Sequence, residues 1–195
     1  MIEKEPPTRQ LTLGGAFDAR PNRRLFLGIW PDEPAANRMT MLMRLLRRDG
    51  IMPGKPVETD RLHLTLFHLG DFVDHIPPSL IPAVQTAAAS LRRTPLDVVF
   101  DRIGGTRGQF LLRASDPLVA LRSFRSILGS ALIKAGLGRR VGGAFTPHVT
   151  LSYDFSDAPE MPIEPIGWTV REFHLVESLL GRHRHIRLGG WALEP

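Results

Sequence analysis

The chain has 195 residues, 43% of them hydrophobic and 23% charged, with a formal net charge of +5 and no cysteine. That length can bury a sizeable core, as one domain or as two small lobes sharing it. The missing cysteines exclude disulfides, thiolate zinc sites and a cysteine nucleophile. No run of 18 apolar residues occurs, and the opening Met-Ile-Glu-Lys-Glu-Pro-Pro has no apolar stretch of the secretory kind. The expectation is a soluble, cytoplasmic, monomeric protein with no membrane contact. The positive charge comes mainly from arginine and gives a pI near 10.6. Such a surface favours polyanions, because neutralising phosphates releases counterions.

Residues 1–22 are polar, contain proline and show no period, and read as a flexible N-terminal extension; residues 23–195 read as one bilobal domain. Structure should begin with a strand over 24–30, stopped by Pro31. Asp32 is placed to cap a helix over 35–48, with Pro34 in its first turn and Gly50 ending it. Ala35, Met39, Leu42, Leu45 and Leu46 recur at helical spacing, and the stripe Met39, Met41 and Met43 reads as core packing. A Pro/Gly loop from Met52 to Asp60 leads to a strand over 62–70. A second helix is predicted over 79–92, then strands over 96–103 and 109–114. The turn Gly104-Gly105-Thr106-Arg107-Gly108 between them lacks the P-loop pattern and reads as a hairpin. Asp116 and Pro117 should start a third helix, capped by Gly136, and strands over 145–153, 166–177 and 184–193 complete the chain. Each half thus contains a strand, a helix and a strand opening with His-x-Thr, which suggests two related α+β lobes facing each other.

Those opening residues carry the chemistry. The chain contains His63-Leu64-Thr65-Leu66 and His148-Val149-Thr150-Leu151, 85 residues apart. In a strand, side chains alternate faces, so each histidine and its threonine point one way while the apolar residues point into the core. Hydrolysing a cyclic phosphodiester needs a base to activate water and an acid to protonate the leaving oxygen. Histidine serves both roles near neutrality, and two hydroxyls can hold the non-bridging oxygens while charge develops. A strained five-membered cyclic ester does not oblige a metal. By the same alternation Phe67 shares the face of His63 and Thr65, where it could stack on a base or pack as cleft wall, and His68 faces the core. The run Arg182, His183, Arg184, His185 and Arg187 reads as a solvated basic strand face, with an RNA path as its alternative. His63-x4-His68 and His183-x-His185 have poor spacing for a metal and no carboxylates beside them.

The two motifs, with the contexts RLFLGIW, DRLHLTLFHLGD and AFTPHVTLS and the closing Gly-Trp-Ala-Leu, resemble the two-histidine (2H) phosphoesterase superfamily. Within it they resemble the bacterial and archaeal RNA 2′,3′-cyclic phosphodiesterase family, also called 2′-5′ RNA ligase. The resemblance covers about residues 23–194. It implies an α+β bilobal fold, with two antiparallel-sheet lobes and outer helices around a central cleft. It implies His63 as proton donor, His148 as proton acceptor, and Thr65 and Thr150 as phosphate ligands, with no metal or other cofactor. The implied substrate is RNA or an oligonucleotide with a cyclic phosphate end, opened to a 2′-phosphomonoester. The chain departs from the family pattern at Phe67, where a basic residue is frequent, and at Tyr153, where an arginine is frequent. The competing readings are an enzyme for another small phosphoester, such as 2′-5′ oligoadenylate or a cyclic nucleotide, and a non-catalytic RNA- or nucleotide-binding module.

Overall fold

In the computed structural model, which describes residues 20–52, 54–155 and 157–194, each His-x-Thr stretch lies on the outer strand of its own sheet. The first sheet is built from β1 (Arg23–Ile29), β2 (Leu64–Phe72), β7 (Glu172–Leu179) and β8 (Arg184–Ala192), in the order β2-β1-β7-β8. The second uses β3 (Leu96–Thr106), β4 (Gly108–Arg113), β5 (His148–Phe155) and β6 (Ala158–Val170), in the order β5-β4-β3-β6. All neighbouring strands are antiparallel. Three helices accompany them, α1 (Glu33–Arg48), α2 (Leu80–Ala89) and α3 (Val119–Leu132). Buried side chains from both sheets and all three helices form one continuous cluster, with Leu27, Met39, Val84, Phe100, Leu128 and Leu151 among its members. No helix among the described residues is long and apolar enough to cross a membrane.

Local chemistry accounts for most element boundaries. The Asp32 carboxylate accepts a hydrogen bond from the Ala35 amide at 2.9 Å and starts α1, as its position before Pro34 predicts. Met39 and Met43, four residues apart, share the buried face with Ala35 and Leu46, but Met41 and Leu45, also expected in the packed stripe, are 54% and 40% exposed. The expected glycine-rich hairpin forms around Arg107 and Gly108, whose φ values of 49° and 75° suit a tight turn between antiparallel strands.

Three further expectations change. Of the extension expected over 1–22, residues 1–19 lie outside the described residues, and Asn22 is firmly held. Its amide donates to the Phe72 carbonyl at 3.0 Å, its carbonyl accepts from the Leu180 amide at 2.9 Å, and its side chain exchanges hydrogen bonds with Asp74. The strand expected over 166–177 is two strands that part at Arg171, β6 pairing with β3 in one sheet and β7 pairing with β1 and β8 in the other. The first also begins earlier than expected. It runs through Pro159, Pro162 and Pro165, which it tolerates because it is an edge strand with one side free of ladder bonds.

The third change concerns which face each side chain takes after the motifs. In β2 the register against β1 steps from Thr65 to Phe67 across Gly28 and Leu27, so Leu66 is an extra residue, and Leu69 is a second one. In β5 the register against β4 steps from Thr150 to Ser152 and from Tyr153 to Phe155, leaving Leu151 and Asp154 as the extra residues. The bulges thus fall three and six residues after each histidine. A bulge shifts the alternation by one. Phe67 therefore turns inward to 4% exposure, and His68 turns out to the cleft, the reverse of the expectation for both. Phe67 does not line the cleft and is not placed to stack on a base there. The guanidinium of Arg125 lies 4.3 Å from its ring centroid, and Gly129 of α3 provides its room. A Cβ on Gly129 would sit 3.1 Å from the Phe67 ring.

As a buried ring inside one core, Phe67 should behave as a stability residue. Phe67→Ala is expected to cost about 3–5 kcal/mol in urea unfolding, through lost burial and the cavity left behind. A cost under about 1 kcal/mol would contradict this packing.

Candidate active site

β2 and β5 face each other across a cleft of about 590 Å³, and the residues at their beginnings, His63 with Thr65 and His148 with Thr150, all line it. The local geometry of the two motifs is the same. His63 Nδ1 lies 2.7 Å from the Arg61 carbonyl, and His148 Nδ1 lies 2.8 Å from the Thr146 carbonyl, in each case the residue two positions earlier. A carbonyl only accepts, so Nδ1 donates in both bonds and Nε2 is left as the nitrogen that takes up or releases a proton. A short 3₁₀ turn, Thr59–Arg61, presents the Arg61 carbonyl to His63.

The surroundings of the two imidazoles differ. The His63 ring stacks on Phe26, with centroids 4.8 Å apart, and on Trp30, at 5.4 Å, while His185 meets it edge-on at 5.2 Å. Burial in this cage lowers the His63 pKa to about 4, against the opposing pull of the Arg61 carbonyl. The charges of Arg61, His148 and Arg24 press it down further. His185 is also lowered to about 4, by burial and then by His63 and Arg61. Burial therefore favours the neutral form of both rings of this pair.

The remaining wall is basic and polar. Arg24 holds Asp71 through two hydrogen bonds, at 2.7 and 2.9 Å, and His68 Nε2 meets the same carboxylate at 2.8 Å. The Arg24 bonds keep the Asp71 carboxyl down at about 2. Tyr153, shifted outward by the bulge at Leu151, stands 44% exposed at the rim, in the position on β5 that His68 has on β2. Lys55 and Arg61 add positive charge to the lining. Among the described residues, no group of three or more His, Cys, Asp or Glu side chains could hold a metal ion.

The structure therefore brings together four of the five site residues expected from sequence, His63, His148, Thr65 and Thr150, and moves the fifth, Phe67, to the core. Sequence reasoning did not single out Phe26, Trp30 and Arg61, although all three lie in segments that carry the family resemblance. The basic run near the C-terminus is also not a plain solvated face. His183 and His185 line the cleft, and Arg187 packs over Trp30 with its guanidinium 5.4 Å from a ring centroid. The two-residue spacing of His185 and Arg187 held part of the signal, since one face of a strand repeats every second residue, whereas His183 lies in the turn before β8 at a φ of 51°.

Two basic nitrogens open to one cleft, each beside a threonine hydroxyl, suit acid-base displacement at a phosphorus centre. Comparison with known proteins agrees with this chemistry. Residues 31–182 match the 2′-5′ RNA ligase superfamily. The chain is 30% identical over 177 residues to the RNA 2′,3′-cyclic phosphodiesterase of Escherichia coli (strain K12), covering 88% of this chain and 97% of that protein. The crystal structure of E. coli LigT complexed with 3′-AMP matches with a TM-score of 0.72 at 26% identity, over 89% of this chain and 99% of that one. TT0787 of Thermus thermophilus, with a TM-score of 0.70 at 21% identity over 87% of this chain and 97% of that one, shares the fold. The chain belongs to the 2′-5′ RNA ligase superfamily and is a two-histidine phosphoesterase.

Proposed function

We propose that this enzyme hydrolyses 2′,3′-cyclic phosphate ends of RNA to 2′-phosphomonoesters, with His63 and His148 as its acid and base. The observation that carries the reading is the pair of identical motifs opening on one cleft, each imidazole with Nδ1 tied to a carbonyl and Nε2 free. The RNA substrate is supported by the name of the 30% identical relative, and a nucleotide ligand by the complex of E. coli LigT with 3′-AMP. Thr65 and Thr150 donate to the non-bridging oxygens. His148 takes a proton from water as the water attacks phosphorus. His63, on the opposite side of an in-line displacement, protonates the 3′ oxygen as it leaves. The 2′ oxygen stays bonded to phosphorus and the water oxygen completes the phosphomonoester. His68 and Tyr153, which line the same cleft, are the residues of the two strands assigned to contact the base.

The low pKa of His63 fits the donor role once substrate is counted. A cyclic phosphate is an anion, and bound against Nε2 it favours the imidazolium that burial alone disfavours. Substrate and proton are thus taken up together.

Replacing His63 or His148 by Ala should lower kcat by on the order of 10³-fold or more, and the double variant should be little worse than the poorer single one. Near wild-type turnover of 2′,3′-cyclic AMP by either folded variant would contradict the assignment. The pH dependence of kcat/KM reports the free enzyme, and the working state of the pair carries one proton. Below the point where the second proton binds no base remains, so the acid limb should lie near pH 4, where burial places His63. An acid limb near 6.5, the ordinary histidine value, would show that the cage does not act on the pair. Activity should also survive dialysis against excess EDTA; a loss restored by Zn²⁺, Mn²⁺ or Mg²⁺ would point to a different mechanism.

A further inference from the structure

Both motif strands are edge strands, so the carbonyls at their bulges need donors from outside the sheet. On β5 the Leu151 carbonyl receives the backbone amide of Val57, at 2.8 Å. On β2 the Leu66 carbonyl receives a side chain, Nε of Arg125 from α3, at 2.9 Å. That guanidinium is also held between two rings, with its centre 4.3 Å from the centroid of Phe67 and 4.4 Å from that of Phe145. Leu66 and Phe67 follow Thr65 directly. Phe145 precedes Thr146, whose carbonyl orients His148. A second arginine of α3 steadies the same segment, because Arg122 donates to the Phe145 carbonyl at 2.8 Å and to the Pro117 carbonyl at 2.6 Å. Neither arginine forms an ion pair with a described carboxylate.

We propose that Arg125 is a positioning residue for the two-histidine reaction. Through one hydrogen bond and two stacked rings, its guanidinium sets the distance between the motif on β2 and the motif on β5. The two strands belong to different sheets, so no ladder bond fixes that distance. Arg125 touches neither motif side chain; it fixes a residue adjacent to Thr65 and a residue adjacent to the carbonyl that holds His148. An in-line displacement across one phosphorus requires the two Nε2 atoms to keep their separation, and a misplacement of about 1 Å costs on the order of 10²-fold in rate. Three features suit arginine and not lysine here. The guanidinium is flat enough to lie between two rings, its Nε donates in the plane, and its charge cannot be removed near neutral pH.

The inference rests on the proposed function for its kinetic test, and a second readout keeps the two apart. Arg140 is the natural control. It makes the same kind of bond, donating to the Leu69 carbonyl at the second bulge of β2, and its ring partner is Phe72 of the same strand, not Phe145. With 2′,3′-cyclic AMP as probe, Arg125→Met should lose about 10- to 100-fold in kcat with KM within about threefold of wild type. Arg125→Lys should recover only part of that loss, and Arg140→Met should keep wild-type kcat. In ¹H–¹⁵N spectra of the imidazoles, Arg125→Met should move the resonances of both His63 and His148, and Arg140→Met should leave those of His148 in place. Wild-type kcat in folded Arg125→Met, an equal kcat loss in Arg140→Met, or unmoved His148 resonances in Arg125→Met would each overturn the inference. If the wild-type protein leaves the cyclic phosphate intact, the proposed function fails, and the imidazole resonances still decide the role of Arg125.

Discussion

Each motif histidine gives its Nδ1 proton to the carbonyl two residues before it, and the working geometry of the cleft depends on that bond. It fixes the tautomer, turns Nε2 toward the cleft and removes one rotational freedom from the ring. The Arg61 carbonyl is presented by a 3₁₀ turn, and the Thr146 carbonyl by the loop after α3. Two unrelated approaches thus end in the same hydrogen bond. The threonine two positions on then needs only the pleat of the strand to bring its hydroxyl to the same side. With the imidazoles set this way, the difference between the two sites arises from what surrounds them. The cage of Phe26, Trp30 and His185 desolvates His63 and lowers its pKa.

The same period-two rule that makes the motifs legible in the sequence fails two residues later. At Leu64 and Thr65 alternation is correct, because the ladder with β1 is regular there, and His63 just before the strand follows it. Leu66 then adds a residue that pairs with nothing, and no composition cue marks it, since the bulge residue is a leucine flanked by ordinary strand formers. Phe67 and His68 consequently exchange faces. The matching bulge at Leu151 places Ser152 inward and Tyr153 at the rim. The internal repeat of the two halves is therefore deeper in backbone register than in sequence. It extends to bulges three and six residues after each histidine, while the side chains at matching positions, such as Phe67 and Ser152, have diverged.

Other features were legible because their causes are local. The Asp32 cap, the Arg107–Gly108 turn and the buried face of α1 all follow from a few neighbouring residues. The break at Arg171 was not legible, because neither glycine nor proline marks it and both flanking segments read as strand. What parts β6 from β7 is the choice of different partners, β3 and β1, more than sixty residues apart in sequence. The place of His185 beside His63 depends on the same long-range pairing, since β8 joins the sheet through β7, which carries Ser178 opposite His185. Side chains that tune the site therefore come in part from the far end of the chain, and no local pattern says which strand they meet.

The measurement that tests the central claim most directly is phosphorus NMR of an oligoribonucleotide ending in a 2′,3′-cyclic phosphate, incubated with the protein and, separately, with a folded His63→Ala, His148→Ala double variant. The two-histidine mechanism predicts that the cyclic phosphate signal is replaced by that of a 2′-phosphomonoester with the wild-type protein and persists with the double variant. A cyclic phosphate that survives the wild-type protein, or one that both proteins consume at the same rate, would contradict it.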